Sequence, residues 1–402
     1  MARPAPAGGR LLSPAEALAR ILEHTPALPA EELALAPELA GRVLAADAIA
    51  RTSLPPFDVS AMDGYAVRRA ELGSGPLPVV LRIAAGDPPA ELPSGAAAAI
   101  STGAVVPLGA DAIVPIEDAE ESPAGLVATA PDGTFIRHAG GDLRVGDRVG
   151  SAGAELGAGL LSALAAAGVD RVAVAGRPRV AAVVTGSELV PVGRPLAPGQ
   201  IHESNSIGLA ALAVRGGAQW AGSTHVADEP DETERALAGA IAGADVVVTS
   251  GGVSVGPHDH VKPALQRLGV REVFWRIAHK PGKPLWFGVA GDGALVFGLP
   301  GNPVSSLVCF ELFVRPALRA MQGAAQPVRP VARLAHDVTP LATRDHAMRC
   351  RLVAGAEGME LRAQDAQDSH LIAHAAVADA LALIPAGSDP LPAGTLVSYL
   401  PM

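Results

Sequence analysis

Residues 244–263 read ADVVVTSGGVSVGPHDHVKP, and this stretch decides the fold. Val246, Val247 and Val248 form a short apolar, β-branched run bounded by turn residues, which predicts a strand buried on both faces. At its end Thr249, Ser250, Gly251, Gly252 and Ser254 offer small side chains, hydroxyls and accessible backbone N–H groups, the ingredients of an anion-binding nest. Beyond it Asp259, flanked by His258 and His260, stands where a helix running to Leu268 would begin. A hard oxygen ligand beside a phosphate loop points to magnesium. Taken alone, Ser-Gly-Gly is ordinarily a turn and Asp259 a helix cap, so the neighbouring segments decide between the two readings.

Working outward, residues 178–323 repeat a strand, loop and helix grammar that predicts a layered α/β domain with a mostly parallel sheet. Three strands run into polar or glycine-rich loops: VAAVV into Thr185-Gly186-Ser187-Glu188, DVVV into Thr249-Ser250-Gly251-Gly252, and ALVFG into Leu299-Pro300-Gly301-Asn302-Pro303. Ligands of open α/β sheets gather at the carboxyl ends of strands, so the three loops are expected to share one crevice. Asn302 is a candidate N-cap, Pro303 suits the first helical position, and Ser305 and Ser306 are read as exposed hydroxyls of the first turn, where the helix dipole favours an anion. DEPDETERALAGAIAGA reads as another helix of this domain.

Ser13-Pro14-Ala15-Glu16 carries the signature of a capping box with proline at the first helical position, so a helix opens the chain. Between Leu77 and Gly141 short apolar runs alternate with Gly-Asp and Pro-Asp turns, predicting a small all-β domain. LLSALAAAGV reads as a short helix stopped by Gly168, and after Gln326 short strands predict a β-barrel-like domain at the C-terminus. The expected division is 1–26 with 178–325, 27–50 with 141–177, 51–140, and 326–402.

The chain has 402 residues, 49% of them hydrophobic, and a formal charge of −10. That balance argues against general nucleic-acid binding, which needs a basic face. MARPAPAGGR lacks the apolar core of a secretory signal, and no apolar run reaches spanning length, so no membrane association and a cytoplasmic location are expected. Cys309 and Cys350 lack metal-like spacing and are expected to serve packing. The lysines are more informative: Lys262, Lys280 and Lys283 are the only three in the chain, and all fall within residues 262–283. His279-Lys280-Pro281-Gly282-Lys283-Pro284 sets two ammonium groups on a stiff turn close to the glycine loop.

Together these strings resemble the molybdopterin molybdenumtransferase family, the MoeA proteins and the E domain of gephyrin. The resemblance is carried by SAMDGYAV (60–67), STGAVVPLGADAIVP (101–115), TGSEL (185–189), GQIHESNS (199–206), TSGGVSVGPHDHVK (249–262), HKPGKP (279–284) and GLPGNPVS (298–305), in this order and spacing. It implies four domains, a discontinuous α/β domain that binds the pterin nucleotide, and an elongated homodimer with its active site between subunits. The implied activity is insertion of molybdate into adenylylated molybdopterin, with cleavage of the phosphoanhydride, release of AMP and formation of molybdenum cofactor.

Carried over by motif, the functional positions are Asp63, Thr102, Asp142, Glu188, Asp228, Asp259, Pro300 and Pro303. Glu188 and Asp259 are the expected Mg2+ ligands. Thr185, Gly186, Ser250, Gly251, Gly252 and Ser254 are expected at the phosphates and pterin; Lys280, Lys283, Ser305, Arg349 and Ser369 at molybdate. Asp63 and Thr102 would enter from the partner subunit. Val59, Gly141 and His202-Glu203 depart from the usual pattern without removing a ligand. An upstream molybdopterin adenylyltransferase and recipient molybdoenzymes stand as further partners that the resemblance leaves open. Other readings are a tungstate-using paralogue, a non-catalytic pterin-binding or scaffolding protein of the same fold, and a phosphotransferase acting on an ordinary nucleotide. The last lacks a GxxxxGK[ST] loop.

Overall fold

The valine run forms the strand Val246–Ser250, buried along its whole length. Because successive side chains point to opposite faces, Val246 and Val248 join one core and Val247 another. The first core takes Ala17 and Ile21 from helix Pro14–Glu23 and Leu209 from helix Asn205–Arg215; the second takes Leu237 from helix Pro230–Gly243 and Leu265 from helix Val261–Arg267. A sheet with an apolar core on each face needs helices on both, and this three-layer α/β arrangement is the one predicted. The computed structural model describes residues 10–253 and 259–402.

The sheet has six strands in the order Gln219–Val226, Arg179–Thr185, Val246–Ser250, Leu295–Leu299, Trp286–Val289 and Arg271–Trp275. The first four run parallel and the last two pair antiparallel at one edge. Register matters here more than order. Val184 pairs with Ser250, and Ser250 with Leu299, so three strands finish at one level and their loops emerge side by side.

Helix Pro14–Glu23 begins with the predicted capping box: Glu16 N–H donates to Ser13 Oγ at 3.2 Å and Ser13 N–H to Glu16 Oε2 at 2.8 Å. Pro303–Cys309, a π-helical turn at Phe310–Val314 and Arg315–Met321 follow one another without a break. Glu311 of the π turn is 7% exposed and pairs with Arg215 and, at 2.9 Å, with Arg315. A carboxylate at that depth needs such partners.

The C-terminal strands Val331–Leu334, Asp345–Gly355, Gly358–Ala363, Ala380–Ile384 and Leu396–Pro401 close into a five-stranded barrel. Pairing of Val331–Leu334 with Gly358–Ala363 and of Asp345–Gly355 with Ala380–Ile384 completes the ring. His279–Lys280 adds to it as a short parallel strand on Asp345 and His346, which ties the lysine turn to the barrel. Cys309 and Cys350 are free and buried, and burial pushes their thiols up to about 12 and about 11. Packing is the role they serve.

Backbone contacts divide the chain into two compact units, 1–31 with 175–402, and 32–174. The second unit holds separate cores. One is built from Leu39, Leu44, Leu156 and Val172 at the two ends of the segment; the others surround the sheet ordered Val79–Ile83, Ala97–Ile100, Gly64–Val67 and Ala112–Pro115. No helix among the described residues is long and apolar enough to cross a membrane.

Candidate active site

The three level strand ends surround a cavity of about 510 Å³. Of the residues predicted for the site, Thr185, Glu188, Ser250, Gly251, Gly252, Pro300 and Pro303 line it. The glycine turn has no room for other residues. Gly251 and Gly252 take φ +96° and +67°; a Cβ on Gly251 would lie 2.8 Å from Thr185 Oγ1, and one on Gly252 2.4 Å from Val261 Cγ2. One expectation is revised: Gly251 N–H already donates to Leu299 O at 3.2 Å, because the adjacent parallel strand ends at the same level. Ser254 and His258 lie outside the described residues.

Facing this turn, the Pro300 loop is held by a residue that sequence reasoning did not single out. Asn205 Nδ2 donates to Ser250 Oγ at 2.7 Å and to Gly301 O at 2.8 Å, joining two loops through one amide. Asn205 sat within the GQIHESNS string, but at a helix start it signals only a cap, and its real partners lie 45 and 96 residues away. Glu203 and His370 also line the cavity, and Glu203 accepts from the Ser206 N–H at 2.9 Å.

The start of the helix at Pro303 corrects the reading of Ser305 and Ser306 as exposed. They are 3% and 1% exposed. Ser306 Oγ donates to Pro300 O at 3.0 Å and lies 3.5 Å from Ser250 Oγ, so the first turn is folded in beneath its own loop. Asn302 occupies the N-cap position without capping; its amide reaches Ser369 Oγ at 2.9 Å instead.

Lys280, Lys283, Ser305, Arg349 and Ser369, all expected at molybdate, are not among the residues lining the cavity; Pro284 and His370, next in sequence to Lys283 and Ser369, do line it. Lys283 is exposed and Lys280 partly so. Arg349 differs from expectation. It is 1% exposed, and its Nη2 donates to Ala366 O at 2.6 Å and Asp368 O at 3.3 Å, while burial lowers the pKa of the guanidinium. With Gln367 bonded to its backbone N–H and C=O, Arg349 fastens the turn that presents Ser369. Lys262, third of the clustered lysines, stands 3.6 Å from Glu272 and against Trp275.

Glu188 is exposed on a loop braced by its neighbour. Ser187 N–H donates to Asp228 Oδ2 at 3.2 Å, Asp228 N–H to Ser187 Oγ at 3.1 Å, and His225 Nε2 meets Gly186 O at 2.9 Å. Gly186 belongs to that loop, and a Cβ on it would fall 2.8 Å from Glu188 Oε2. Asp259 is half-buried just before helix Val261–Arg267 and is not among the lining residues. Among the described residues no group of three or more His, Cys, Asp or Glu gathers as a metal cage. The donors at the cavity include the hard oxygens of Glu188, Glu203, Thr185 and Ser250. Such a set fits Mg2+, which takes one or two carboxylates and completes its shell with substrate phosphates and water.

Asp63, Thr102 and Asp142 belong to the other compact unit. Asp63 Oδ1 accepts from Thr102 N–H at 2.7 Å and from Thr102 Oγ1 at 3.0 Å, and these donors hold its carboxyl below the usual carboxylate range. Asp63-Gly64 is no ordinary turn: Gly64 opens a strand, where a Cβ would meet Val114 O at 2.0 Å. Asp63 also lines a cavity of about 410 Å³. Asp142 is exposed, with its N–H donating to Leu54 O at 2.9 Å. A further cavity of about 450 Å³ lies between helix Pro14–Glu23 and the barrel, lined by Leu18, Phe313, His346 and Leu383 among others.

Residues 12–168 match the family model for the MoeA N-terminal region (domain I and II), 181–320 that for a probable molybdopterin binding domain, and 331–402 that for the MoeA C-terminal region (domain IV). The chain is 38% identical over 320 residues to a molybdopterin molybdenumtransferase of Haemophilus influenzae, covering 78% of this chain and 79% of that one. It is 34% identical over 392 residues to molybdopterin molybdenumtransferase 1 of Mycobacterium tuberculosis, covering 90% and 92%. The crystal structure of a molybdopterin biosynthesis MoeA protein from Pyrococcus horikoshii superposes with a TM-score of 0.83 at 27% identity, over 98% of this chain and all of that one (100%). With relatives this similar along most of its length, the chain belongs to the molybdopterin molybdenumtransferase family.

Proposed function

We propose that this protein inserts molybdate into adenylylated molybdopterin, with cleavage of the phosphoanhydride and release of AMP, to form molybdenum cofactor. The observation that carries the reading is the meeting of three strand-end loops around one cavity of about 510 Å³, within the range of nucleotide-sized pockets. Thr185, Ser250 and Gly252 seat the phosphates, and Pro300 and Pro303 shape the opposite wall. Glu188 holds Mg2+ at the cavity, and Asp259, which does not line it in this structure, is the second carboxylate carried over by motif. Bound there, magnesium supplies charge neutralisation on the phosphate oxygens. Asp228 keeps the Glu188 loop in place through its paired bonds with Ser187.

Lys280, Lys283 and Ser369 form the molybdate side, with Arg349 acting on Ser369 through the turn it fastens, while Ser305, 3% exposed, serves packing beneath the Pro300 loop. The working form is a homodimer in which Asp63, Thr102 and Asp142 of a second copy complete the crevice; the Thr102 donors orient the Asp63 carboxylate for that role. The protein works in the cytoplasm.

The test is AMP release from adenylylated molybdopterin by purified protein, with molybdate and magnesium omitted singly and together. Release that needs both ions is expected. Tight binding of the pterin nucleotide with no AMP release under any condition would replace the enzyme with a binding protein of the same fold.

A further inference from the structure

Trp275 ends the edge strand Arg271–Trp275, and its indole Nε1–H donates to Val253 O at 3.0 Å. Val253 directly follows the two glycines and lines the cavity. Its side chain is 2% exposed and lies against Gly298, where an added Cβ would come within 2.5 Å of Val253 Cγ1. The glycine turn is therefore clamped at its exit, by the indole on the carbonyl and by the neighbouring strand on the side chain. Its entrance is fixed by the Gly251 bond to Leu299 O.

The indole is itself firmly held. Lys262 Nζ stands 3.2 Å from the ring centroid and Arg276 Cζ 4.1 Å from it. Lys262 reaches Glu272 Oε2 at 3.6 Å, and Glu272 accepts from Trp286 Nε1 at 2.6 Å. Arg276 takes φ +71°, a left-handed conformation unfavourable for any residue but glycine, with its N–H donating to Leu285 O at 2.8 Å. Strain of this kind persists where the surroundings over-determine it and gathers around functional sites. Two cations thus flank the one indole that bonds the Val253 carbonyl, and Lys262 is in turn held by Glu272, which Trp286 fixes.

We propose that Trp275 is a positioning residue for the nucleotide: its indole N–H fixes the Val253 carbonyl and so sets the glycine turn in the geometry that receives the phosphates. This rests on the reading that the turn seats the substrate's phosphates. Trp275→Phe isolates the effect, since it keeps an aromatic face beside Lys262 and removes only the donor and the second ring.

The experiment titrates AMP into the full-length protein and follows steady-state turnover of adenylylated molybdopterin. Loss of one hydrogen bond predicts AMP affinity weaker by about three- to tenfold in Trp275→Phe, with most of the kinetic change in KM rather than kcat. Tryptophan emission should change on AMP binding in wild type and in Trp220→Phe, whose indole lies on the opposite edge strand, and the change should shrink in Trp275→Phe, where Trp286 remains. Equal AMP affinity in wild type and Trp275→Phe overturns the proposal, as does an emission change of undiminished size in that variant. A lowered melting temperature with unchanged affinity also overturns it, since Trp275 would then serve only the fold. If wild type binds no AMP, the phosphate-seat reading falls and takes this inference with it; if wild type binds and Trp275→Phe binds equally, only the inference falls.

Discussion

Asn205→Ala should separate the two loops that form the phosphate crevice. One amide nitrogen serves both, at 2.7 Å to Ser250 Oγ and 2.8 Å to Gly301 O. The two ends are not equal. Gly301 is exposed and its carbonyl can turn to water, whereas Ser250 is 1% exposed and keeps only the 3.5 Å approach of Ser306 Oγ. A neutral hydrogen bond contributes about 1 kcal/mol net, and more is lost when the partner stays buried, so the combined effect is roughly 2 kcal/mol. In AMP titration calorimetry that is about a 30-fold loss of affinity. Asn205→Asp should be worse than alanine, because a carboxylate cannot donate to Gly301 O and adds negative charge where phosphates bind. Affinity within twofold of wild type for alanine, or an aspartate variant that binds better than alanine, refutes the claim that this amide spaces the loops.

Gly252→Ala meets both a positive φ and Val261 Cγ2 at 2.4 Å, whereas Gly293→Ala meets a positive φ with nothing within 4 Å. Thermal melting should therefore fall more for the first, by a further ~1–3 kcal/mol of overpacking, and equal losses would contradict the account. Burial and then the charges of Lys280, His279, Arg349 and Arg344 push His346 down to about 4, from an ordinary value near 6.5. Between those values the unfolded chain binds the proton and the native protein does not, so stability should fall as pH drops from about 6.5 to about 4 and level off below. Denaturant titrations across that window should show a flatter profile for His346→Asn; an identical slope would remove His346 as the cause. Arg349→Lys cannot reproduce the bonds to Ala366 O and Asp368 O, so deuterium exchange across residues 364–371 should quicken about tenfold or more while the barrel strands stay protected. Unchanged exchange there would mean that Arg349 does not hold the turn.

What could be read from the sequence follows the range of the physics. The Val246–Ser250 strand was legible because β-branched residues in an unbroken run have one favourable fate, and the capping box at Ser13 because its donors and acceptors lie three residues apart. The convergence of three loops was legible too, since parallel strands put their carboxyl ends on one edge of the sheet, although their order and register were not. Long-range partners were not. Nothing near Arg349 in sequence says that its guanidinium points inward to carbonyls 17 and 19 residues away, and its ligand role came only with the family resemblance, in a region that none of the quoted strings covers. Ser305 and Ser306 failed for a related reason. A first-turn serine reads as exposed unless the loop before it folds back, as the Pro300 carbonyl does. The π turn at Phe310–Val314 leaves the apolar pattern of the helix unbroken, so periodicity does not reveal it.

The most direct test of the central claim, that the crevice between the Ser250 and Pro300 loops seats the nucleotide phosphates, is a crystal structure of the protein with AMP and magnesium. The account predicts phosphate density within hydrogen-bonding distance of Thr185, Ser250 or the Gly252 amide, with Glu188 oxygen on the metal. Nucleotide bound elsewhere, for instance in the cavity beside helix Pro14–Glu23, with this crevice filled only by water, would contradict it.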